Sequence, residues 1–240
     1  MTAPRILTAI GAATLAIAGC TSTVEGAALP AATLNHAPTT ATTRPAPQPL
    51  AASVLEGLLL NQDQIVALAG GANMALVGTI TNTSDASKII DDRTCLGLGS
   101  IADESLYSNS GWVAMRGNQF TSPNVVKADV TQVVTSFTGP ADAVALLQRA
   151  RDDWQGCANR RYGFHSSNGN HSHLDTGPVI GSGSRIEVLL RQEEDPRWAC
   201  SHAMAVQHTV LVEARVCLMS KDTGAAVNSL LDQVIARIPQ

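Results

Sequence analysis

The sequence predicts an α+β fold, a mainly antiparallel sheet with two long helices packed on one face and two disulfides. Three observations carry this reading. Several segments alternate apolar and polar residues and are joined by short turns, as antiparallel strands with one buried side do. Two longer segments, 140–157 and about 224–238, repeat their apolar residues at steps of three and four, as amphipathic helices do. Four cysteines, Cys95, Cys157, Cys200 and Cys217, stand behind an export signal. An even set in an exported chain implies two bridges.

The export signal lies at the start. Arg5 is the only charged side chain before Glu25, and residues 6–18 are apolar or small apart from two threonines. A positive start followed by a short apolar core describes a secretory signal peptide. The run is shorter than the ~20 apolar residues a spanning helix needs. It closes on Ile17-Ala18-Gly19-Cys20, which resembles the bacterial lipobox. The resemblance implies cleavage before Cys20, a diacylglycerol thioether on its sulfur and acylation of the freed amino group. Residues 1–19 are therefore read as a lipoprotein signal peptide. Cys20 is read as the lipid anchor at the extracytoplasmic face of the cell membrane, since more than one acyl chain gives stable attachment. Residues 20–52 read as a disordered Thr/Ala/Pro-rich tether. Between Thr21 and Leu50 there are seven Thr, seven Ala and five Pro, with only Glu25 and Arg44 charged. Such a stretch buries too little apolar surface to offset its chain entropy. Its prolines favour extended conformations, at ~3.1 Å per residue.

The domain is assigned to residues 53–240, with packing expected from near Val54. Asn61 is a good N-cap for a short helix over 62–68 that ends at Gly70-Gly71. A strand over 74–81, a polar loop to Thr94 and a short helix over 100–107 follow. Residues 112–120 and 125–137 read as strands. In the helix over 140–157, Ala143, Leu146, Leu147, Ala150, Trp154 and Cys157 share one face, and Pro140 suits the first turn. Arg149, Arg151, Asp152 and Asp153 fall off that face, toward water. A loop-rich stretch over 158–183 leads to strands over 185–192, 200–206 and 210–217, the last two joined by a turn at 207–209. In the last strand, Val210, Val212, Ala214 and Val216 face one way and Glu213, Arg215 and Cys217 the other. Val227, Leu230, Leu231, Val234 and Ile238 form the buried stripe of the final helix.

Composition narrows the function classes. The net charge is −4 and no Lys/Arg cluster is present, which argues against nucleic acid and against electrostatic binding to anionic lipid. Eight aromatic residues leave a core built mostly of Val, Leu, Ile and Ala.

The order of marks resembles a known family. Cys95 precedes Tyr107 and the Gly111-Trp112-Val113-Ala114 strand with Arg116-Gly117. A helix ending Trp154-x-x-Cys157 follows, then Cys200 opening one strand, Cys217 ending another, and a C-terminal amphipathic helix. This is similar to the PknH-like extracellular sensor domain, found in mycobacterial receptor kinases and in stand-alone lipoproteins, over roughly 58–238. The resemblance implies an α+β fold with two disulfides, a broad cleft for an unidentified ligand and no enzymatic activity. The expectation is a non-catalytic, sensor-type domain binding a small molecule or an envelope component, with no cofactor. A scaffold acting through protein contacts and a lipid carrier are the alternatives.

Individual candidates are then weighed. Trp112 and Trp198 are candidates to line the cleft, Trp198 being the more exposed of the two. No Ser, His and acid trio stands out, and the late cysteines leave no spare thiol, so no catalytic residue is assigned. Gly97-Leu98-Gly99-Ser100-Ile101-Ala102 matches a loose dinucleotide fingerprint but lacks the βαβ context it needs. Asn168-Gly169 signals a two-residue hairpin turn, which places Ser166 opposite His171 and Phe164 opposite His173. That register permits a His171/His173 pair and turns His165 to the other side, so the histidines read as a polar exposed loop and no metal is assigned. Of the three disulfide pairings, Cys157–Cys200 with Cys95–Cys217 is preferred, with Cys200–Cys217 across the hairpin as the alternative.

Overall fold

A computed structural model describes residues 47–122, 127–165 and 170–240. The signal peptide, Cys20 and residues 21–46 of the tether lie outside them, as do 125–126 of one expected strand and the Asn168-Gly169 turn.

Eight strands, β1 (Ala75–Ile80), β2 (Trp112–Thr121), β3 (Ala128–Phe137), β4 (Arg161–His165), β5 (His171–Thr176), β6 (Arg185–Gln192), β7 (Trp198–Gln207) and β8 (Val210–Met219), form one sheet. Their order is β1-β2-β3-β8-β7-β6-β5-β4, and every neighbouring pair is antiparallel. The α+β prediction therefore holds. Pairing couples the faces of the central strands, because side chains alternate along each strand and partners share a side. Met115, Val133, Phe137, Val188, Met204 and Leu211 line one face. Val130, Val134, Ala203, Ala205, Val212 and Val216 line the other.

Helix α5 (Pro140–Cys157) covers the first face with the six residues its periodicity marks, all buried. Helices α1 (Ala52–Leu58) and α2 (Gln62–Leu68) cover the second together with α6 (Thr223–Ile235). The two long helices thus lie on opposite faces, which corrects the expectation that they share one. The central strands are apolar on both sides, and a sheet buried on both faces needs a layer on each. Asn61 caps α2 as expected, in a capping box with Gln64. Packing starts earlier than Val54: the Leu50 N–H donates to Ser136 Oγ at 2.7 Å. Buried Gln132 then holds both the N–H and the carbonyl of Leu60, at 3.0 and 2.8 Å.

The segment from Cys95 to Tyr107 is fastened across the first face. It forms α3 (Leu96–Gly99) and α4 (Glu104–Tyr107) rather than one helix over 100–107. Ala102 adopts φ 52° between them, and a residue in that left-handed region interrupts a helix. Trp154 Nε1 donates to the Gly97 carbonyl at 3.0 Å. His202 and Glu213, both fully buried, face each other at 2.9 Å. His202 Nδ1 donates to the Leu98 carbonyl at 2.7 Å, and the Tyr107 hydroxyl donates to Glu213 at 2.6 Å.

The disulfides are Cys95–Cys157 and Cys200–Cys217, correcting the preferred pairing. Cys200 and Cys217 are direct cross-strand partners in the β7–β8 register, so each is the other's nearest cysteine. Cys157 sits one turn beyond Trp154, and the bond to Gly97 brings that end of α5 onto Cys95. The helix is therefore stapled to the segment it covers, not to the sheet. Asp153 is half-buried rather than directed to water. Its Oδ2 is buried without a hydrogen-bond partner, where a Cβ on Gly97 would lie 2.7 Å away. Burial, with a smaller contribution from the Asp103 carboxylate, pushes its carboxyl up to about 6.

Two outcomes follow. Peptide mapping of the unreduced protein will recover Cys95–Cys157 and Cys200–Cys217, and removing the first bridge by Cys95→Ala/Cys157→Ala will cost on the order of 4 kcal/mol. Asp153→Asn will be stabilising above pH 6 and neutral near pH 3. A raised carboxyl favours the protonated form in the folded state, so the folded protein loses stability as pH rises through about 6. Below the ordinary value of 3.8 both states are protonated and nothing is gained. After discounting for partial exposure the gain at pH 7 is about 1 kcal/mol, read from chemical denaturation across pH.

Candidate functional site

On the same face as α5, beyond α3, the sheet floor opens into a cleft of about 500 Å³, within the ordinary range for small-molecule sites. Its floor comes from the ends of central strands, with Asp129 on β3, Arg215 and Cys217 on β8, and Trp198 and Cys200 on β7. The β4–β5 hairpin supplies one wall through Phe164, Ser172 and Leu174, and Gly99 of α3 borders the other side.

Arg215 sets the electrostatics. Its Nη1 donates to the Gly99 carbonyl at 2.9 Å, while its buried Nε has no partner. Among the described residues it makes no ion pair, and the nearby carboxylate is otherwise held: Gln119 Nε2 donates to Asp129 Oδ2 at 2.9 Å. Asp129 Oδ1 is buried without a partner. The Tyr162 hydroxyl is likewise buried and unpaired, and burial pushes it well above its ordinary value. A guanidinium that keeps a buried N–H free on a cleft floor is suited to an acidic group.

Of the two tryptophans expected at a cleft, Trp198 is among the residues that line this one and Trp112 is not. Trp112 pairs with Phe137, eight residues along β3 from Asp129, or ~27 Å at strand rise. There it packs against the core beneath α5. Sequence reasoning placed Arg215 on the correct side of its strand but gave it no role, because an exposed and a cleft-facing arginine have the same pattern. The glycines of the loose dinucleotide motif serve packing. A Cβ on Gly99 would meet Ile90 at 2.5 Å, and no parallel βαβ unit surrounds them.

The hairpin register differs from expectation by one residue. His165 pairs with His171, and Gly163 with His173. A one-residue slip turns every side chain of a strand to its other side. His165, His171 and His173 consequently share one face, with neighbouring ring centroids 4.6 and 4.7 Å apart. Phe164, Ser172 and Leu174 point the other way, into the cleft.

Comparison with known proteins agrees with this architecture. The PknH-like extracellular domain family matches residues 50–237. The serine/threonine-protein kinase PknH of Mycobacterium bovis is 26% identical over 193 residues, 80% of this chain and 31% of that protein. PknH of Mycobacterium tuberculosis strain H37Rv is also 26% identical, with 30% of its length covered. The chain thus spans under a third of the curated relatives it matches. The crystal structure of the extracellular domain of PknH from Mycobacterium tuberculosis superposes with a TM-score of 0.72 at 26% identity, covering 79% of this chain and 97% of that one. With the family model matching residues 50–237 and the fold superposing over most of the chain, the chain belongs to the PknH-like extracellular domain family.

Proposed function

We propose that this chain is a lipid-anchored extracytoplasmic lipoprotein whose sensor-type domain binds a small anionic ligand in the cleft, without catalysis. The observation that carries the reading is Arg215, a cleft-floor cation with a buried, unpartnered Nε in the cleft that Trp198 also lines. The mixed lining favours a polar headgroup or an acidic metabolite over an acyl chain. Phe164, Leu174 and Trp198 are offset by Gln119, Lys127, Asp129, Ser172, Gln192 and Arg215, whereas a lipid carrier needs an apolar cavity. Anchoring rests on the Ile17-Ala18-Gly19-Cys20 sequence. Among the described residues no helix is long and apolar enough to cross a membrane.

Two measurements test the reading. In a binding screen of carboxylates, phosphate esters and glycan acids against the purified protein, a hit will lose ~10- to 100-fold in affinity on Arg215→Gln, the worth of one charge-assisted hydrogen bond. A panel without hits, or hits indifferent to Arg215→Gln, would remove the anion site. Cys20→Ser will abolish incorporation of labelled acyl chains and block signal-peptide removal. Unchanged labelling would sink the lipid anchor.

A further inference from the structure

On the side of the β4–β5 hairpin turned away from the cleft, two imidazoles converge on one carboxylate. His165 Nε2 lies 2.8 Å from Asp91 Oδ1, and His171 Nε2 lies 2.9 Å from Asp91 Oδ2. One ligand atom from each residue lies within 4.8 Å of the others. We propose that Asp91, His165 and His171 form a binding site for a divalent transition-metal ion of the zinc class.

The placement is built by the backbone. Ile90 bridges to Phe164 as an extra rung on the edge of β4. The Asp91 N–H donates to the Gly163 carbonyl at 3.2 Å, and the His165 N–H donates to the Ile89 carbonyl at 2.8 Å. Asp91 therefore stands opposite Gly163, while His165 and His171 are paired across the next rung. The three ligands come from β4, β5 and the isolated bridge at Ile90, and share one side of the sheet. Gly163 makes the hollow they occupy. A Cβ there would collide with the Asp91 carboxylate and lie 2.6 Å from His171 Nε2. Only a residue without a side chain lets both groups lie over the strand at that point.

The distances suit an ion after a small expansion. With metal–ligand bonds of ~2.0 Å, the ligand atoms of a tetrahedral site are ~3.3 Å apart. Opening the present 2.8 and 2.9 Å contacts by about half an ångström lets the ion sit between the Nε2 atoms and the carboxylate, with each neutral ring keeping its one proton on Nδ1. Two imidazoles and one carboxylate, without thiolate, suit zinc, copper or nickel better than calcium or magnesium. All three side chains remain 40–47% exposed, so a fourth position is open to water, as in three-ligand zinc sites. His173 meets His171 edge-on, with its Nδ1 3.3 Å from Glu194 and 3.6 Å from Glu193. This second acidic group adds negative potential next to the site. Phe164, Ser172 and Leu174 alternate with the histidines on the same two strands, so an ion here would also tie down a wall of the cleft.

The test titrates ZnCl2 into the purified full chain by calorimetry, with Co2+ absorption as a second readout. Saturable binding of one ion is expected. His171→Ala, Asp91→Asn and Gly163→Ala will each weaken it at least tenfold, while His208→Ala, which removes a histidine at the far β7–β8 turn, will leave it unchanged. Far-UV circular dichroism and the thermal midpoint without metal show that each variant is folded. Asp91→Asn, nearly isosteric, keeps the test valid if an alanine variant does not fold. No saturable binding overturns the proposal. So does binding that folded His171→Ala and Asp91→Asn both retain, or binding lost in His173→Ala alone, which would place the ion at His173, Glu193 and Glu194 instead.

Discussion

The buried His202–Glu213 pair is the contact on which the cleft-bearing half of the molecule depends. Both side chains are wholly removed from water at the centre of the sheet, where an unpaired polar group is costly. Each polar atom of the two side chains has a partner. The Leu98 carbonyl accepts from Nδ1, and Nε2 faces the carboxylate. The Tyr107 hydroxyl and the Ala102 N–H complete the carboxylate's shell, and the Trp154 ring lies 4.4 Å from the imidazole. Removing one partner from such a pair costs on the order of 3–5 kcal/mol, because it strands the other. What the pair secures is position. Leu98, Ala102 and Tyr107 are drawn onto β7 and β8, which places the Gly99 carbonyl against Arg215. The segment has few strand or helix hydrogen bonds of its own, so these polar contacts and the Cys95–Cys157 bridge decide where it lies.

The pleat then divides the labour of the β4–β5 hairpin. Tyr162, Phe164, Ser172 and Leu174 join the core and the cleft, and His165, His171 and His173 look out on the other side. The two long helices cover only the middle of the sheet on either face, which leaves the hairpin uncovered. A ligand in the cleft and an ion on the histidines would therefore press on opposite sides of the same two strands.

Much of the fold was legible in the residues. The six buried positions of α5 follow from their spacing, its bounds from Pro140 and Cys157, and the N-terminus of α2 from the Asn61–Gln64 capping box. The alternation of β8 assigned Glu213, Arg215 and Cys217 to one side correctly. These signals are local, because helix and strand periods are set by backbone geometry within a few residues. The failures were of another kind. The histidine register needed the turn length, and one residue there decides whether His165 joins His171 or opposes it. Trp112 and Trp198 each open a strand, and their positions along the paired strands separate a core filler from a cleft wall.

The sequence by itself determined the element types, the apolar face of each long helix, the expectation of two bridges and the family. It did so because periodicity, capping and the order of cysteines are written along the chain. The tertiary structure decided which side of the sheet each helix covers, which cysteines meet, and which polar residues are drawn inward. Those outcomes depend on pairings between residues distant in the chain, such as Leu98 with His202 and Ala102 with Glu213, 104 and 111 positions apart. An apolar stripe states that a helix must be buried without naming the surface that buries it. For the same reason Glu213 and His202 read as ordinary strand residues until the fold enclosed them.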